Sequence, residues 1–526
     1  MKKFLLLAIA AASSMAVWAA DAKWTASVNN IFKDNKAVLS GVVTVDASGN
    51  SYAAGAYNQD VTINGKDFSA IGNSAYIAKY DATGSAKWTI NFEGAATVSS
   101  MTTDADGNLY VAGTLADEVI LGSTDDKTAT IKGLFVDGTP SKKMQASFIA
   151  KYSAAGVLLA QTTFYSEEFP DALTADIPNE ADNAYFRITD IKASGNKIYA
   201  VAKYIGNAKH GNATFEGYYN SVWFGLMIND LQSTAVFSLS AELDNCQIVA
   251  SCSTGENLAT EEGQYEAGPA AITVAGDKVY AAFTASGPCV VKVGQTSNKI
   301  EKDASTASVS FVSTDGAFSS YTIANADVAQ IKDFGAYALN ADGTNLEYVG
   351  NQLTTEGDDE KKMYQLAFYS LNPTDLKRID AETNCLETTD NGQYYYSLTG
   401  AVFTNGVWTC SAAGQWASTA DGHSNGDFTG TSKCITNHKG FAGTADVAGA
   451  YTIGANNNVI TYASLDGTGA TYAQYASPTS GIDDIVTGDE NAPVEYYNLQ
   501  GIRVSDPTPG MYIMRQGTTT SKVIIR

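Results

Sequence analysis

Apolar and polar positions along this chain alternate in short runs, and each run ends in a cluster of Asp, Asn, Gly or Ser. Alternation puts one face of a strand inward, and Asp-x-x-Gly and Gly-Asn turns supply the positive φ that tight connections need. Two hairpin patterns recur. The first runs from an apolar strand through a turn to a strand ending in small residues, as in Val42–Gly55 and Met101–Gly113. Weaker copies start near Ile188, Ala271, Ala336 and Ala401. The second joins two strands around a Gly turn, and its last strand sometimes begins with Trp, as in Ala75–Ile90 and Ser147–Gly156. Looser copies begin near Val222, Ser308, Tyr364 and Val459.

One hairpin of each kind makes a four-stranded sheet. Such a sheet cannot bury both faces alone, but a ring of them can. Six copies of each pattern, spaced by roughly 60 to 90 residues, predict an all-β chain forming a single β-propeller of six blades, with seven as the alternative because the later copies are degenerate. Trp24–Val28 reads as an orphan strand of the second pattern that completes the last blade and removes an open sheet edge. The rival fold is a β-sandwich with Gly turns.

The two ends differ from this body. Lys2 and Lys3, the apolar run Phe4–Ala12 and the small residues around Val17–Ala20 predict a secretory signal peptide over 1–20. No later run is long enough to cross a bilayer as a helix, so no transmembrane helix is expected in the mature chain. The propeller is assigned to 21–480, an acidic linker to 481–493 and a small basic β-module to 494–526. The chain has 33 Lys and Arg against 56 Asp and Glu, a formal net charge of −23. That balance argues against nucleic acid as a partner and suits an extracellular surface.

The copies at Val42–Gly55, Tyr76–Trp88, Met101–Gly113 and Phe148–Gly156 resemble the Asp-x-x-Gly-Asn-x-Tyr-x-x-Gly propeller repeats of many exported bacterial proteins. The chain's ending resembles the C-terminal sorting domain of the type IX secretion system. The residues that carry the likeness are Tyr497, Leu499 and Gly501, then Pro507, Gly510 and Tyr512, and finally Lys522 before the terminal Val-Ile-Ile-Arg. It implies the type IX machinery as a partner, passage across the outer membrane, and a place at the cell surface or outside the cell. The tail is shorter than the family's full module.

Catalytic chemistry finds little footing. His210, His423 and His438 are scattered, none lies beside a nucleophile elbow, and surface or loop positions are expected for them. Zinc-protease, P-loop and dinucleotide motifs are absent. Glycosidase chemistry needs two facing carboxylates; the candidates are Glu167, Glu168, Asp171, Glu261, Glu262, Asp358, Asp359 and Glu360 in long insertions. Asp104–Asn108 resembles half of a calcium loop, but turn chemistry explains it better, and no cofactor is expected beyond a low prospect of Ca²⁺. Of the six cysteines, Cys246 with Cys252 and Cys410 with Cys434 are plausible local pairs.

Aromatics among polar neighbours can stack on sugar rings or anchor a protein, although many such residues simply fill space between blades. The candidate ligand-binding residues are Tyr218, Tyr219, Trp223, Tyr395 and Trp416. The expected function is a binding or interaction module at the cell surface or secreted, its ligand a glycan or a protein. The alternatives are a carbohydrate-active enzyme, hydrolase or lyase, on the same scaffold, and a structural coat component.

Overall fold

The computed structural model describes residues 22–33, 41–133, 135–136, 139–140, 146–166, 185–217, 222–223, 226–227, 232–253, 267–301, 306–325, 335–356, 361–389, 394–416, 428–438, 441–447, 450–465, 469–477, 494–498, 503–504, 507–516 and 519–525. The signal-peptide assignment lies outside them. The described residues contain no α-helix, and among them no helix is long and apolar enough to cross a membrane. The chain divides into two compact units, 1–477 and 478–526.

Among the described residues, the first unit contains seven antiparallel sheets, each built around four strands. Blade 1 is Gly41–Val45, Ser51–Tyr57, Ser74–Tyr80 and Ala86–Glu93; blade 2 is Ala96–Thr103, Leu109–Leu115, Ala146–Tyr152 and Leu158–Phe164. Blade 3 is Tyr185–Ser194, Lys197–Ile205, Ser233–Ser240 and Gln247–Ser253; blade 4 is Ala267–Ala275, Lys278–Ser286, Thr306–Ser313 and Phe318–Asn325. Blade 5 is Gly335–Ala341, Leu346–Glu356, Lys361–Leu371 and Arg378–Thr389; blade 6 is Tyr394–Thr404, Val407–Trp416, Phe428–His438 and Phe441–Val447. Blade 7 takes Ala450–Ala455, Val459–Leu465 and Gly469–Ala476 from the end of the ring and Trp24–Asn29 from its beginning. The first strand of each blade touches the first strand of the next, and that of blade 7 touches blade 1. The sheets therefore close into a β-propeller.

The sheet count is the larger of the two numbers that the repeats allowed. The pattern at Ala401 opens blade 6, but the one at Val459 belongs to blade 7, so two blades read as one. Between them lie Phe428–His438, Phe441–Val447 and Ala450–Ala455, whose polar stretches carry no Asp-Gly turn. At blade 7 Asn456 takes the turn position that Asp holds elsewhere, its Oδ1 accepting the Asn458 and Val459 N–H groups at 2.8 and 2.9 Å. The pattern near Val222 is a minor hairpin, Val222–Trp223 with Leu226–Met227, inside the blade 3 insertion. The orphan strand lies where its pattern placed it, with Trp24 opposite Gln474 and Asn29 opposite Gly469.

Local chemistry explains the repeat. The Asp46 carboxylate accepts the Ser48 and Asn50 N–H groups at 2.9 Å, the Asn50 amide at 2.8 Å and the Tyr52 hydroxyl at 3.3 Å. Asp104 accepts the same set from Asp106, Asn108 and Tyr110. The turn glycines Gly49 and Gly107 have φ of 83° and 78°, a region that side chains disfavour. The closing glycine serves a different need. A Cβ on Gly55 would lie 2.6 Å from the Tyr76 hydroxyl, and one on Gly113 would lie 2.2 Å from the Thr97 carbonyl oxygen. These positions bring the second strand against an aromatic or a neighbouring backbone.

Further contacts tie blade to blade. Lys79 in blade 1 lies over the Tyr52 ring, 4.8 Å from its centroid, and donates to the Ala154 carbonyl of blade 2 at 3.0 Å. Trp88 donates to the same carbonyl at 3.1 Å and packs on the Gly156 turn. Trp24 of blade 7 packs in the same way on the Gly84 turn of blade 1. Gln474 of blade 7 reaches the Gly49 carbonyl and the Ser51 hydroxyl of blade 1, both at 3.0 Å.

The insertions also have a common use. Between its second and third strands, each of blades 1 to 4 carries a hairpin that reaches back to the outer edge of the preceding blade. Glu118–Leu121 and Ala129–Lys132 extend the blade 1 sheet, and Cys289–Val293 and Thr296–Ile300 extend the blade 3 sheet. Ala208–His210 with Ala213–Phe215 adjoins the last strand of blade 2. Val61–Ile63 with Lys66–Phe68 packs with Val28, Ile31 and Phe32 beside the closing strand. These hairpins protect edges that would otherwise offer unpaired backbone.

The second unit is one antiparallel sheet in the order Arg503–Val504, Val494–Tyr497, Gly510–Gln516, Thr519–Ile525. Three of these were expected from β runs; the short Arg503–Val504 strand is the fourth.

Candidate functional site

The seven innermost strands enclose a channel of about 890 Å³ on the ring axis. Its wall is rich in small and hydroxyl residues, among them Thr44, Thr97, Ser99, Thr273, Ser397, Thr399 and Thr452. Small side chains here leave the axis open, while alternate residues of the same strands turn into the apolar layers between blades. Asp190 is the one carboxylate in the wall among the described residues. Its Oδ1 accepts the Ser100 hydroxyl at 3.0 Å, and its Oδ2 lies 3.4 Å from Lys192 Nζ. Ser100 accepts the Ile191 N–H at 3.2 Å, and Ser99 donates to the Ile188 carbonyl at 2.6 Å. Asp190 is thus part of the seam between blades 2 and 3. Hydrolysis by two carboxylates needs a second acid facing the first, and the described wall offers none. The acidic candidates Glu167, Glu168, Asp171, Glu261, Glu262, Asp358, Asp359 and Glu360 lie outside the described residues.

The two ends of the ring differ. One carries the connections between strands 1 and 2 and between strands 3 and 4, which are tight turns such as 46–50, 81–85, 104–108 and 153–157. The other carries the connections between strands 2 and 3 and from blade to blade, where the long insertions lie. Of the candidate aromatics, Trp223, Tyr395 and Trp416 belong to this second end by topology. Tyr395 is the second residue of the first strand of blade 6, and Trp416 ends the second strand. The ladder pairs Tyr394 with Trp416 and Tyr395 with Gln415, so both candidates sit together at one end of that blade. Gln415 also lines the channel. Trp223 lies in the blade 3 insertion, across the ring from blade 6. Tyr218 and Tyr219 lie outside the described residues. The structure thus places Tyr395 and Trp416 at one end of blade 6, but one position out of register and so on opposite faces of the sheet, and it does not bring Trp223 to them.

Several sequence expectations change. His210 is neither a surface nor a loop residue. Its ring stacks on Phe164 with centroids 4.2 Å apart, and Nε2 lies 2.6 Å from the Thr162 hydroxyl. Burial pulls its pKa below the ordinary value. His423 lies outside the described residues, and His438 pairs with Phe441 at the end of a blade 6 strand. The Asp104 carboxylate is engaged by the turn's own donors, which supports turn chemistry over calcium. Cys246 packs against the layer between blades 2 and 3, whereas Cys252 lies in the layer between blades 3 and 4. The ladder pairs Cys410 with Ile435 and Cys434 with Ser411. That one-residue offset sets those two on opposite sheet faces, so neither local pairing fits the register.

In the second unit, Tyr497 donates to Glu495 Oε2 at 2.8 Å, and Arg503 lies 2.9 Å from Glu495 Oε1. Pro507 precedes the strand that Gly510 opens; Gly510 pairs with Ile525, Tyr512 with Val523, and Lys522 with Ile513. The Tyr512 ring lies 6.4 Å from that of Tyr496. Leu499 and Gly501 lie outside the described residues.

The channel wall is the feature that sequence reasoning missed. Its signal was present in the Ser- and Thr-rich first strand of each hairpin, but those residues read equally well as solvated positions.

No family model matches the chain, and no curated protein matches its sequence. Solved structures similar to it include the Dos1 propeller, at 10% identity and TM-score 0.39 over 85% of this chain and 95% of that one. Another is the β-propeller domain of the Trilobed protease from Pyrococcus furiosus, at 8% and 0.37 over 88% and 99%. A third is an exo-1,5-alpha-L-arabinanase from a bovine ruminal metagenomic library, at 10% and 0.29 over 68% and 98%.

Proposed function

We propose that this propeller is an exported binding module that engages a glycan or a protein on the end of the ring bearing its long insertions. The observation that carries this reading is the asymmetry of the ring. Tight turns occupy one end, while the insertions, the channel mouth near Gln415 and the strand ends that carry Tyr395 and Trp416 share the other. Loops held by a rigid scaffold are where recognition residues concentrate. The one carboxylate of the described wall, Asp190, is engaged by Ser100 and Lys192.

The N-terminal leader and the sorting-like tail support export by the type IX route and a final place at the cell surface or outside the cell. A glycan array probed with the mature protein tests the binding reading. A Trp416→Ala or Tyr395→Ala variant that melts like the parent should lose at least tenfold in affinity for any hit. Turnover of the bound glycan would favour the enzyme instead. Silence together with self-association would favour a coat component. Removal of 494–526 should leave the protein in the periplasm, and surface display without those residues would overturn the sorting role.

A further inference from the structure

The hairpin Cys289–Val293 with Thr296–Ile300 belongs in sequence to blade 4 but adds to the outer edge of blade 3. In that ladder Cys252 stands opposite Val291 and Ser253 opposite Val290. Cys289 is therefore the diagonal neighbour of Cys252, two positions along from its partner and on the same face of the sheet. Both cysteines are buried, at 0% and 3% exposure, in one layer with Ala250, Val291 and Ala267. Both are free thiols in this structure. The neighbouring Cys289 thiol, together with burial, pushes the Cys252 thiol well above its ordinary value.

We infer that Cys252 and Cys289 are a disulfide site that staples the blade 4 hairpin to the edge of blade 3. The loop it closes contains the first two strands of blade 4, Ala267–Ala275 and Lys278–Ser286. The bond would hold the seam between these blades through the unfolded state as well as the folded one. Its oxidant is a disulfide, of low molecular weight or carried by a protein. One cysteine thiolate attacks a donor sulfur, forms a mixed disulfide and expels one donor thiolate. The second cysteine then displaces the remaining donor sulfur. The Cys252–Cys289 S–S bond forms, the donor gains two electrons, and the two cysteine protons end on its two sulfurs. With both sulfurs buried, exchange takes place during folding, before this layer closes.

The reduced, unfolded chain is refolded in a mixture of reduced and oxidised glutathione. It is then unfolded in guanidinium with iodoacetamide and no reductant, digested and read by mass spectrometry. Cys252 and Cys289 should appear as one linked species. Free, alkylated Cys252 and Cys289, or linkage of either to another cysteine, would overturn the assignment. Reductant should lower the melting midpoint of the oxidised wild type by about 4 °C. It should do so in Cys246→Ala and fail to do so in the Cys252→Ala, Cys289→Ala double variant. If the double variant does not fold, the linked peptide in the wild type still decides the question. Neither readout depends on the binding or export readings.

Discussion

Replacing Trp24 by Ala should loosen the ring at its seam. Trp24 is buried at 7% exposure, with its ring centroid 5.5 Å from that of Tyr80. It packs so closely on the Gly84 turn that a Cβ there would lie 2.6 Å from its Cγ. Removing a buried Trp costs about 3–5 kcal/mol. Unfolding entropy of about 2.1 cal/mol/K per residue, over a ring of roughly 450 residues, gives close to ~1 kcal/mol per degree. The midpoint should therefore fall by about 3–5 °C. Trp88→Ala removes the equivalent contact between blades 1 and 2, but its side chain is only partly buried, so about half the effect is expected. The Phe variants separate packing from hydrogen bonding. Trp24 Nε1 is buried without a partner, whereas Trp88 Nε1 donates to Ala154. Trp24→Phe should thus be milder than Trp88→Phe. Calorimetry gives the midpoints, and hydrogen exchange locates the opening at Gly469–Ala476. A Trp24→Ala midpoint within 1 °C of the parent, with unchanged exchange in that strand, would refute the seam packing.

Asp46→Ala strips the acceptor from a turn that feeds four donors into one largely buried carboxylate, and a loss of about 2–3 kcal/mol is expected in urea unfolding. The same replacement at the more exposed Asp342, which accepts only two N–H groups, should cost about 1 kcal/mol. His210 makes stability depend on pH. Burial lowers its folded pKa below 6.5, so the unfolded chain binds more protons in the interval between the two values. Its contribution is complete above pH 6.5 and is lost as pH falls through that interval. A melting series from pH 7.5 to 5 should show this loss, and His210→Phe should flatten it. An equal slope in both proteins would assign the pH dependence to other groups.

Much of the ring was legible because its chemistry is local. The Asp46 and Asp104 turns, the close approaches at Gly55 and Gly113 and the alternating strands between them depend on residues near in sequence. Trp24 was legible for the same reason, since its strand looks like the one at Trp88. The seventh blade was not. Asn456 can replace a turn Asp, and the Phe428–Val447 strands are joined by Lys439-Gly440, with no turn Asp to mark them. The cysteines show a different limit. Cys252 lies near Cys246 in sequence, yet Cys246 precedes the strand and a register shift at Val249 changes the phase between them, so they meet different layers, and only a hairpin crossing between blades brings Cys289 alongside Cys252. The channel depends on strands from every blade, which no single repeat reports.

Ring closure can be tested with Ser27→Cys and Thr471→Cys. These positions are directly opposed, one in the first strand and one in the last complete strand of the ring, with hydroxyl oxygens 3.3 Å apart. Directly opposed strand residues lie within the span of a disulfide. Closure requires that mild oxidation of the native double variant link the peptides containing residues 27 and 471 and produce a reductant-sensitive shift on a denaturing gel. Both thiols remaining open to alkylation, with no linked peptide, would mean that the N-terminal strand does not close the ring.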